Sequence, residues 1–378
     1  DVQWIDPTTL ELIDLCLERI ATLPVLVLLS ARPGFHHAFG DRPNVTQLPL
    51  FRLGRNQIAS MVKGVTRGKA VPEELLNEIA TKSDGIPLFI EELTKTVLES
   101  GVLHETADAF VVEGPLPRLA IPVSLHDSLM ARLDRLQPVK EVAQTAACIG
   151  REFSYQLLTA IMPTSNQNPD GALARLEEAE LIFSRGNPQD GQYAFKHSLV
   201  RDAAYESLLK SNRQQIHGRL VKALEASPDT PPEILAFHAT QAGLTAKAVG
   251  EWQKAGAQAI GRPAYKEAIA HLTQALRLAE QMGETREWLE RRLLILLSLG
   301  QASIPLRGYG HSQTVAIFTR AQELAGAMSD APHRFSVFYA VWVALYIRGE
   351  HDKALETAGH MMREADRDNS SSHMITAL

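Results

Sequence analysis

Cysteine is nearly absent. Cys16 and Cys148 are the only two among 378 residues, too few for a disulfide framework or a four-thiolate zinc site. Long hydrophobic runs are absent as well. The longest apolar stretch, residues 23–30, falls far short of the roughly 20 residues that a bilayer demands, and no secretory signal opens the chain. There is no basic excess either: 38 Lys and Arg stand against 44 Asp and Glu, a formal net charge of −6. That balance argues against a broad nucleic-acid-binding surface, which needs a basic stripe. The expectation is a reducing, cytoplasmic setting with no membrane partner. What is present is ordinary for a globular protein, 45% hydrophobic and 22% charged residues, with length enough for two or three domains.

Several catalytic signatures are missing too. Residues 64–70, Gly-Val-Thr-Arg-Gly-Lys-Ala, contain a Gly-Lys pair but lack the four-residue gap and the Ser or Thr of a P-loop. His36-His37 has no HExxH partner, and no Gly-x-Ser-x-Gly elbow occurs. The first residue is Asp1 rather than Met, and it opens a dense motif with no capping lead-in. The sequence reads as a piece that starts inside a domain.

Periodicity organises the rest. Asp6 reads as an N-cap and Pro7 as the first helical residue, and Leu10, Ile13, Cys16, Leu17 and Ile20 then recur at helical spacing to about Thr22. Residues 25–29, Val-Leu-Val-Leu-Leu, predict a strand covered on both faces, as in a parallel sheet. Helix then strand is half of a doubly wound α/β unit. From Gly54 to Gly101 the pattern is helical, with Pro72 opening one helix, Gly85 closing it and Pro87 opening the next. Residues 124–136, 139–149, 155–161 and 171–180 read as helices, followed by strands over 181–184 and 192–195. Three helices and a β-hairpin make a winged-helix pattern. Its would-be recognition helix carries Glu177, Glu178 and Glu180 against Arg175, and acidic helices repel phosphate, which argues against direct DNA binding by this segment.

Beyond Asn212 the chain is almost wholly helical. Trp252, Ala255, Gly256, Ala268, Leu272 and Ala275 fall at tetratricopeptide spacing, with a weaker echo at Leu345, Gly349, Ala354 and Ala358. The apparent period is about 40 rather than 34, so these are divergent repeats; a single helical bundle is the alternative. Stacked repeats present a concave face to a partner.

Four residues stand out by position. Asp1 sits where an acidic residue ending a buried strand would hold Mg²⁺ or polarise water, or it is a charged terminus. Arg32 lies just past the second strand's carboxyl end, where ligands of open α/β sheets sit, or it pairs with an acidic neighbour. Pro87, in Gly85-Ile86-Pro87, is at least an N1 proline behind a C-cap glycine. His197, at a strand-to-helix junction, reaches an anion or caps the helix.

In combination and order, these stretches resemble the STAND class of signalling ATPases. They look most like bacterial proteins in which an adenylate/guanylate cyclase domain precedes a predicted ATPase and a tetratricopeptide region. Five stretches carry the match: 1–7, 30–35, 85–93, 195–205 and 264–272. The resemblance implies that Asp1 is the second Walker B acid, that Arg32 is the sensor of the terminal phosphate, that Pro87 packs near the adenine and that His197 contacts nucleotide in the closed, ADP-bound form. It implies ATP or ADP as ligand and Mg²⁺ as cofactor, with the P-loop and most Mg²⁺ ligands upstream of Asp1. The 378 residues alone are then expected neither to hydrolyse ATP nor to make a cyclic nucleotide.

The expected fold is mainly α with a truncated α/β start. It comprises the end of an NTPase core (1–53), a helical lid unit (54–121), a winged-helix-like unit (122–211) and tetratricopeptide-like repeats (212–378). The implied function is a nucleotide-dependent switch whose repeats receive a protein or small ligand and whose effector is a class III cyclase. An ATP-dependent transcriptional activator, a kinase-linked regulator and a non-hydrolysing scaffold are the alternatives.

Overall fold

The computed structural model describes residues 2–32, 34–35, 42–101, 103–112, 124–137, 139–163, 169–185, 191–328, 333–367, 373–374 and 376. The fold is mainly α, with seventeen α-helices and five short strands among these residues. Asp1, His36, His37, the prolines at 115, 117 and 122, and residues 186–190 of the wing turn lie outside them. Backbone contacts divide the chain into two units, residues 48–223 and residues up to 47 together with 224–378.

In the second of these units, α1 (Pro7–Arg19) begins as its sequence predicts. The Asp6 carboxylate accepts the Thr9 amide at 2.8 Å and the Thr9 hydroxyl at 2.6 Å. Those two hydrogen bonds hold the Asp6 carboxyl below its usual range against the opposing effect of burial. The helix tightens into a 3₁₀ turn over Ile20–Thr22. The buried strand expected at 25–29 does not form. Residues 25–30 run without a ladder partner among the described residues, and Leu26 and Leu28 are each 82% exposed. A parallel strand needs neighbours on both edges and helices on both faces; here the segment shows a local turn bond, Val25 N–H to the Leu23 carbonyl at 2.8 Å, and a bond from Val2 N–H to the Ser30 carbonyl at 2.8 Å.

The rest of that unit is a run of helices, each packed on the next: α11 (Pro232–Gln241), α12 (Thr245–Gly261), α13 (Tyr265–Ala279), α14 (Arg286–Arg307), α15 (Ser312–Ala327), α16 (Arg334–Ile347) and α17 (His351–Arg367). Small residues permit this. A Cβ on Gly256 would sit 2.6 Å from Leu272 Cγ, and one on Gly300 would sit 2.3 Å from the Phe318 ring, so α12 meets α13, and α14 meets α15, at glycine.

One buried histidine makes this unit acid-sensitive. His238 in α11 is 4% exposed, and burial pushes it down from 6.5 to about 4. Between those values the unfolded chain binds a proton that the folded chain refuses. Stability is therefore complete above the unfolded pKa and is lost as pH falls toward the folded one. The full shift corresponds to about 3 kcal/mol. All four tryptophans lie outside residues 48–223, so tryptophan fluorescence reports this unit selectively. Thermal melts at about pH 7.5 and about pH 5 should show His238→Leu losing less stability on acidification than the parent. Equal acid sensitivity would remove His238 as the cause.

The 48–223 unit has three buried clusters among the described residues, two large ones and a smaller one around Cys148. In the first, α2 (Arg55–Val65), α3 (Glu73–Ser83) and α4 (Pro87–Glu99) enclose Ile58, Val62, Leu75, Ile79, Ile90, Leu93 and Val97, and a hairpin follows, β1 (Leu103–Glu105) with β2 (Phe110–Val112). The second comprises α5 (Leu125–Arg135), α6 (Lys140–Ile149), β3 (Glu152–Ser154), α7 (Tyr155–Ile161), α8 (Pro169–Glu178), β4 (Ile182–Arg185), β5 (Gln192–Phe195) and α9 (Ser198–Glu206), with α10 (Lys210–Glu225) beyond. The four helices and two strands read from sequence are present. The structure adds β3, making an antiparallel sheet of order β3-β5-β4 in which Phe153 lies with ring centres 5.7 Å from both Tyr193 and Phe195.

Candidate functional site

Local chemistry places α4. Asp84 and Gly85 close α3 with φ of +48° and +70°, Ile86 is extended, and Pro87 starts α4 at its first turn, where a missing N–H costs nothing. The Gly85 carbonyl accepts the Leu53 amide at 2.8 Å, pinning the turn to the chain that enters α2. Pro87 is thus a helix-starting residue whose helix carries Glu91, Glu92, Lys95 and Glu99.

These four side chains meet the winged unit. Glu92 and Arg132 of α5, 2% and 3% exposed, form a buried ion pair. Arg132 also reaches Glu99 at 3.2 Å and the Ala179 carbonyl, after α8, at 2.6 Å. One turn along, the buried hydroxyls of Thr96 and Ser128 lie 2.8 Å apart. On the outer side, Glu91 pairs with Lys95 at 2.7 Å and with Lys196 at 3.3 Å. Glu180 pairs with Lys196 at 2.8 Å and also with Lys95. Hydrogen bonds from Lys196 and Lys95 hold the Glu180 carboxyl down at about 2. Burial would raise Glu91, but Lys95 and Lys196 outweigh it and leave the carboxyl lowered. Burial would likewise lower Lys196, yet its glutamate partners hold it raised. Glu180 and Lys196 line an open depression of about 310 Å³ with Glu177, Ile182 and Phe183.

His197 stands beside this network. It occupies the N-cap position of α9 but makes no side-chain cap bond. Burial depresses its pKa, the charges of Glu91 and Glu92 oppose that, and Lys196 and Lys95 add to it. The ring is neutral at pH 7, and its Nε2 is buried without a hydrogen-bond partner. A buried imidazole nitrogen left unpaired is uncommon and demands an explanation.

The other two candidates lie near the beginning of the chain. The Arg32 amide donates to Gln3 Oε1 at 3.2 Å, and its guanidinium lies 4.5 Å from the centre of the Trp4 ring. The stretches around 2–4 and 30–32 therefore meet. Arg32 itself is exposed and rests on an aromatic face. Asp1 lies outside the described residues. Among the described residues no group of three or more His, Cys, Asp or Glu is placed to hold a metal ion, and no helix is long and apolar enough to cross a membrane.

The pattern of the sequence suggests Glu91 and Glu92 as first-turn acids of the helix opened by Pro87, but they fall beyond its first turn, and sequence reasoning missed Lys95, Arg132 and Lys196 as their partners. A signal existed. Arg132 continues the apolar stripe Leu125, Leu129 at i, i+4, i+7, so an arginine aimed at a core announced a buried carboxylate.

No family model matches the chain. An uncharacterized protein of Rhizobium meliloti (strain 1021) is 30% identical over 391 aligned residues, covering all of this chain and 37% of that protein. The chain thus spans little more than a third of that relative's length. Among solved structures, a signal transduction ATPase with numerous domains (STAND) with a tetratricopeptide repeat sensor, from Pyrococcus horikoshii, aligns over 86% of this chain and 56% of its own, with a TM-score of 0.34 and 10% identity.

Proposed function

We propose that this chain is the regulatory part of a nucleotide-dependent signalling switch. ATP or ADP is its ligand, and the helical repeats receive a protein or small-molecule signal. The observation that carries the reading is the meeting of the Gly85-Ile86-Pro87 helix with the residue that follows the wing. His197, with an unpaired buried Nε2, lies within electrostatic reach of Glu91 and Glu92 on α4. A phosphoryl oxygen would satisfy that nitrogen, and Lys95 and Lys196 stand close by. Both lysines are engaged by Glu91 and Glu180, so phosphate entry competes with Lys–Glu pairs. Nucleotide state would then alter how α4 holds the wing, and a ligand with different affinity for the two arrangements shifts their populations.

Arg32 is the proposed contact for a terminal phosphate, with Asp1 acting on the attacking water and Mg²⁺ held by residues other than those described. The effector proposed is a class III adenylate/guanylate cyclase; its support is the order of the five motif stretches. Binding of ADP and ATP to the intact protein tests the core of the proposal. His197→Ala should weaken ADP roughly tenfold, the worth of one charge-assisted hydrogen bond, and Arg32→Ala should weaken ATP more than ADP. Affinities unchanged in both variants, or no nucleotide binding by the parent, would sink the reading and leave a scaffold.

A further inference from the structure

Three consecutive repeat helices enclose a cleft of about 210 Å³. Each contributes one leucine to its wall: Leu276 of α13, Leu296 of α14 and Leu324 of α15. Leu276 and Leu296 are buried and Leu324 is half-buried, so the interior is apolar. The rim is charged. Glu280, in the 3₁₀ turn after α13, and Arg320 and Glu323 of α15 are exposed, while Arg292 of α14 is half-buried.

The rim charges are not all paired with one another. Arg320 pairs with Glu280. Arg292 is engaged by backbone instead: its Nε donates to the Ala279 carbonyl at 3.0 Å, and its Nη2 to the Glu280 and Gly283 carbonyls at 3.3 and 2.6 Å. Those bonds fix the guanidinium at the end of α13 without neutralising it. Among the described residues no carboxylate pairs with Arg292 and no cation pairs with Glu323. A guanidinium held in place presents its remaining N–H donors to a carboxylate, and an unpaired carboxylate accepts an ammonium. A molecule that meets both carries one charge of each sign beside an apolar group. Size narrows the choice. An apolar cavity of about 150 Å³ holds one benzene ring; the cleft of about 210 Å³ suits a molecule of about eight or nine non-hydrogen atoms.

We propose that the α13–α15 cleft binds a free α-amino acid with an aliphatic side chain, its carboxylate on Arg292, its ammonium on Glu323 and its side chain against Leu276, Leu296 and Leu324. The Glu280–Arg320 pair adds no net charge, so the cleft as a whole is neutral, as its ligand is. The site gives the small-molecule signal of the proposed switch a place and a chemistry. Its regulatory meaning rests on that switch, whereas the binding does not.

Calorimetric titration of the full chain with L-leucine, without nucleotide, is the test, and saturable binding is expected. L-Leucinamide, which lacks the carboxylate, and 4-methylpentanoate, which lacks the ammonium, should each bind roughly tenfold more weakly, one charge-assisted hydrogen bond apiece. Glycine, which lacks the aliphatic group, should not compete. Glu323→Gln, at an exposed position, should weaken leucine roughly tenfold and leave 4-methylpentanoate, which has no ammonium to lose, unchanged. Circular dichroism establishes that the variant is folded; the comparison of analogues needs no variant and carries the test if it is not. No saturable binding of L-leucine, L-isoleucine or L-methionine would overturn the proposal. So would either analogue binding as tightly as leucine, equal leucine binding in folded Glu323→Gln, or glycine competing as well as leucine. In the intact protein, bound leucine should also shift the affinity for ADP. Leucine binding without that shift would count against the switch and leave the amino-acid site standing.

Discussion

Replacing Arg132 by methionine destabilises the 48–223 unit by about 3–5 kcal/mol, the usual consequence of leaving a buried charge without its partner. Glu92 is 2% exposed and Arg132 3%, so neither can turn to water. Methionine fills much of the same volume, which keeps the comparison electrostatic rather than a matter of a cavity. Two acceptors are abandoned at once, the buried Glu92 carboxylate and the Ala179 carbonyl, while Glu99 keeps Arg135 at 3.8 Å. The double change Glu92→Met with Arg132→Met should recover most of the loss, because an apolar pair of similar volume replaces a buried ion pair with little penalty. Since this unit has no tryptophan, calorimetry or circular dichroism follows it, and the tryptophan-reported transition should stay where it was. A single variant as stable as the parent would show that the pair is not buried in solution. Function should change in step, because Arg132 joins the helix that begins at Pro87 to the end of α8, beside the Lys196–Glu180 contacts.

The elements legible in sequence were those that carry their own punctuation. Ser124 accepts the Asp127 amide to cap α5, Pro87 starts α4, and the strands at 182–185 and 192–195 flank a turn-rich stretch. Strand β3 has three residues and no turn signal of its own. It becomes a strand because β5 lies beside it, with Phe153 opposite Tyr193. Residues 25–29 show the reverse. Their composition is that of a buried strand, yet a strand exists only by pairing, and among the described residues nothing pairs with them. Tertiary context decided both cases.

The candidate site divides in the same way. Arg32 was marked by the end of a strand at 25–29 that does not form, whereas position marked Pro87 and His197 because a turn and the end of β5 are visible in local sequence. The ion network around them was not visible, because Lys95 and Lys196 are a hundred residues apart and an exposed lysine is the default reading of either. What distinguishes Glu92 is burial, and its register was readable only against Arg132 on another helix. The repeats were legible through small residues. Gly256 and Gly300 lie where a Cβ would collide with the neighbouring helix, whereas the long helices that stretch the period, such as the 22-residue α14, leave no such mark.

Gly85→Ala is the second large effect, for reasons that the tripeptide Gly85-Ile86-Pro87 alone does not reveal. The residue has φ of +70°, the left-handed region that a side chain disfavours. A Cβ there would lie 2.5 Å from the Leu53 carbonyl oxygen and 2.9 Å from the Leu53 nitrogen. Both are backbone atoms, and the Leu53 amide is already committed to the Gly85 carbonyl at 2.8 Å, so relief requires breaking that bond and moving the entry to α2. Left-handed strain and overpacking together cost about 2–5 kcal/mol. Gly101 is the control. It has a similar φ of +74°, but nothing lies within 4 Å of its Cβ position, so Gly101→Ala should cost only the conformational part, about 1–2 kcal/mol. The difference between the two variants, read from denaturant melts followed by circular dichroism, isolates the contact with Leu53. If both cost the same, the close approach of the 53–54 backbone to the α3–α4 turn is wrong. If Gly85→Ala is the worse and also loosens nucleotide binding while Gly101→Ala does not, the turn before Pro87 sets the position of α4, and with it the contacts that α4 makes to the wing.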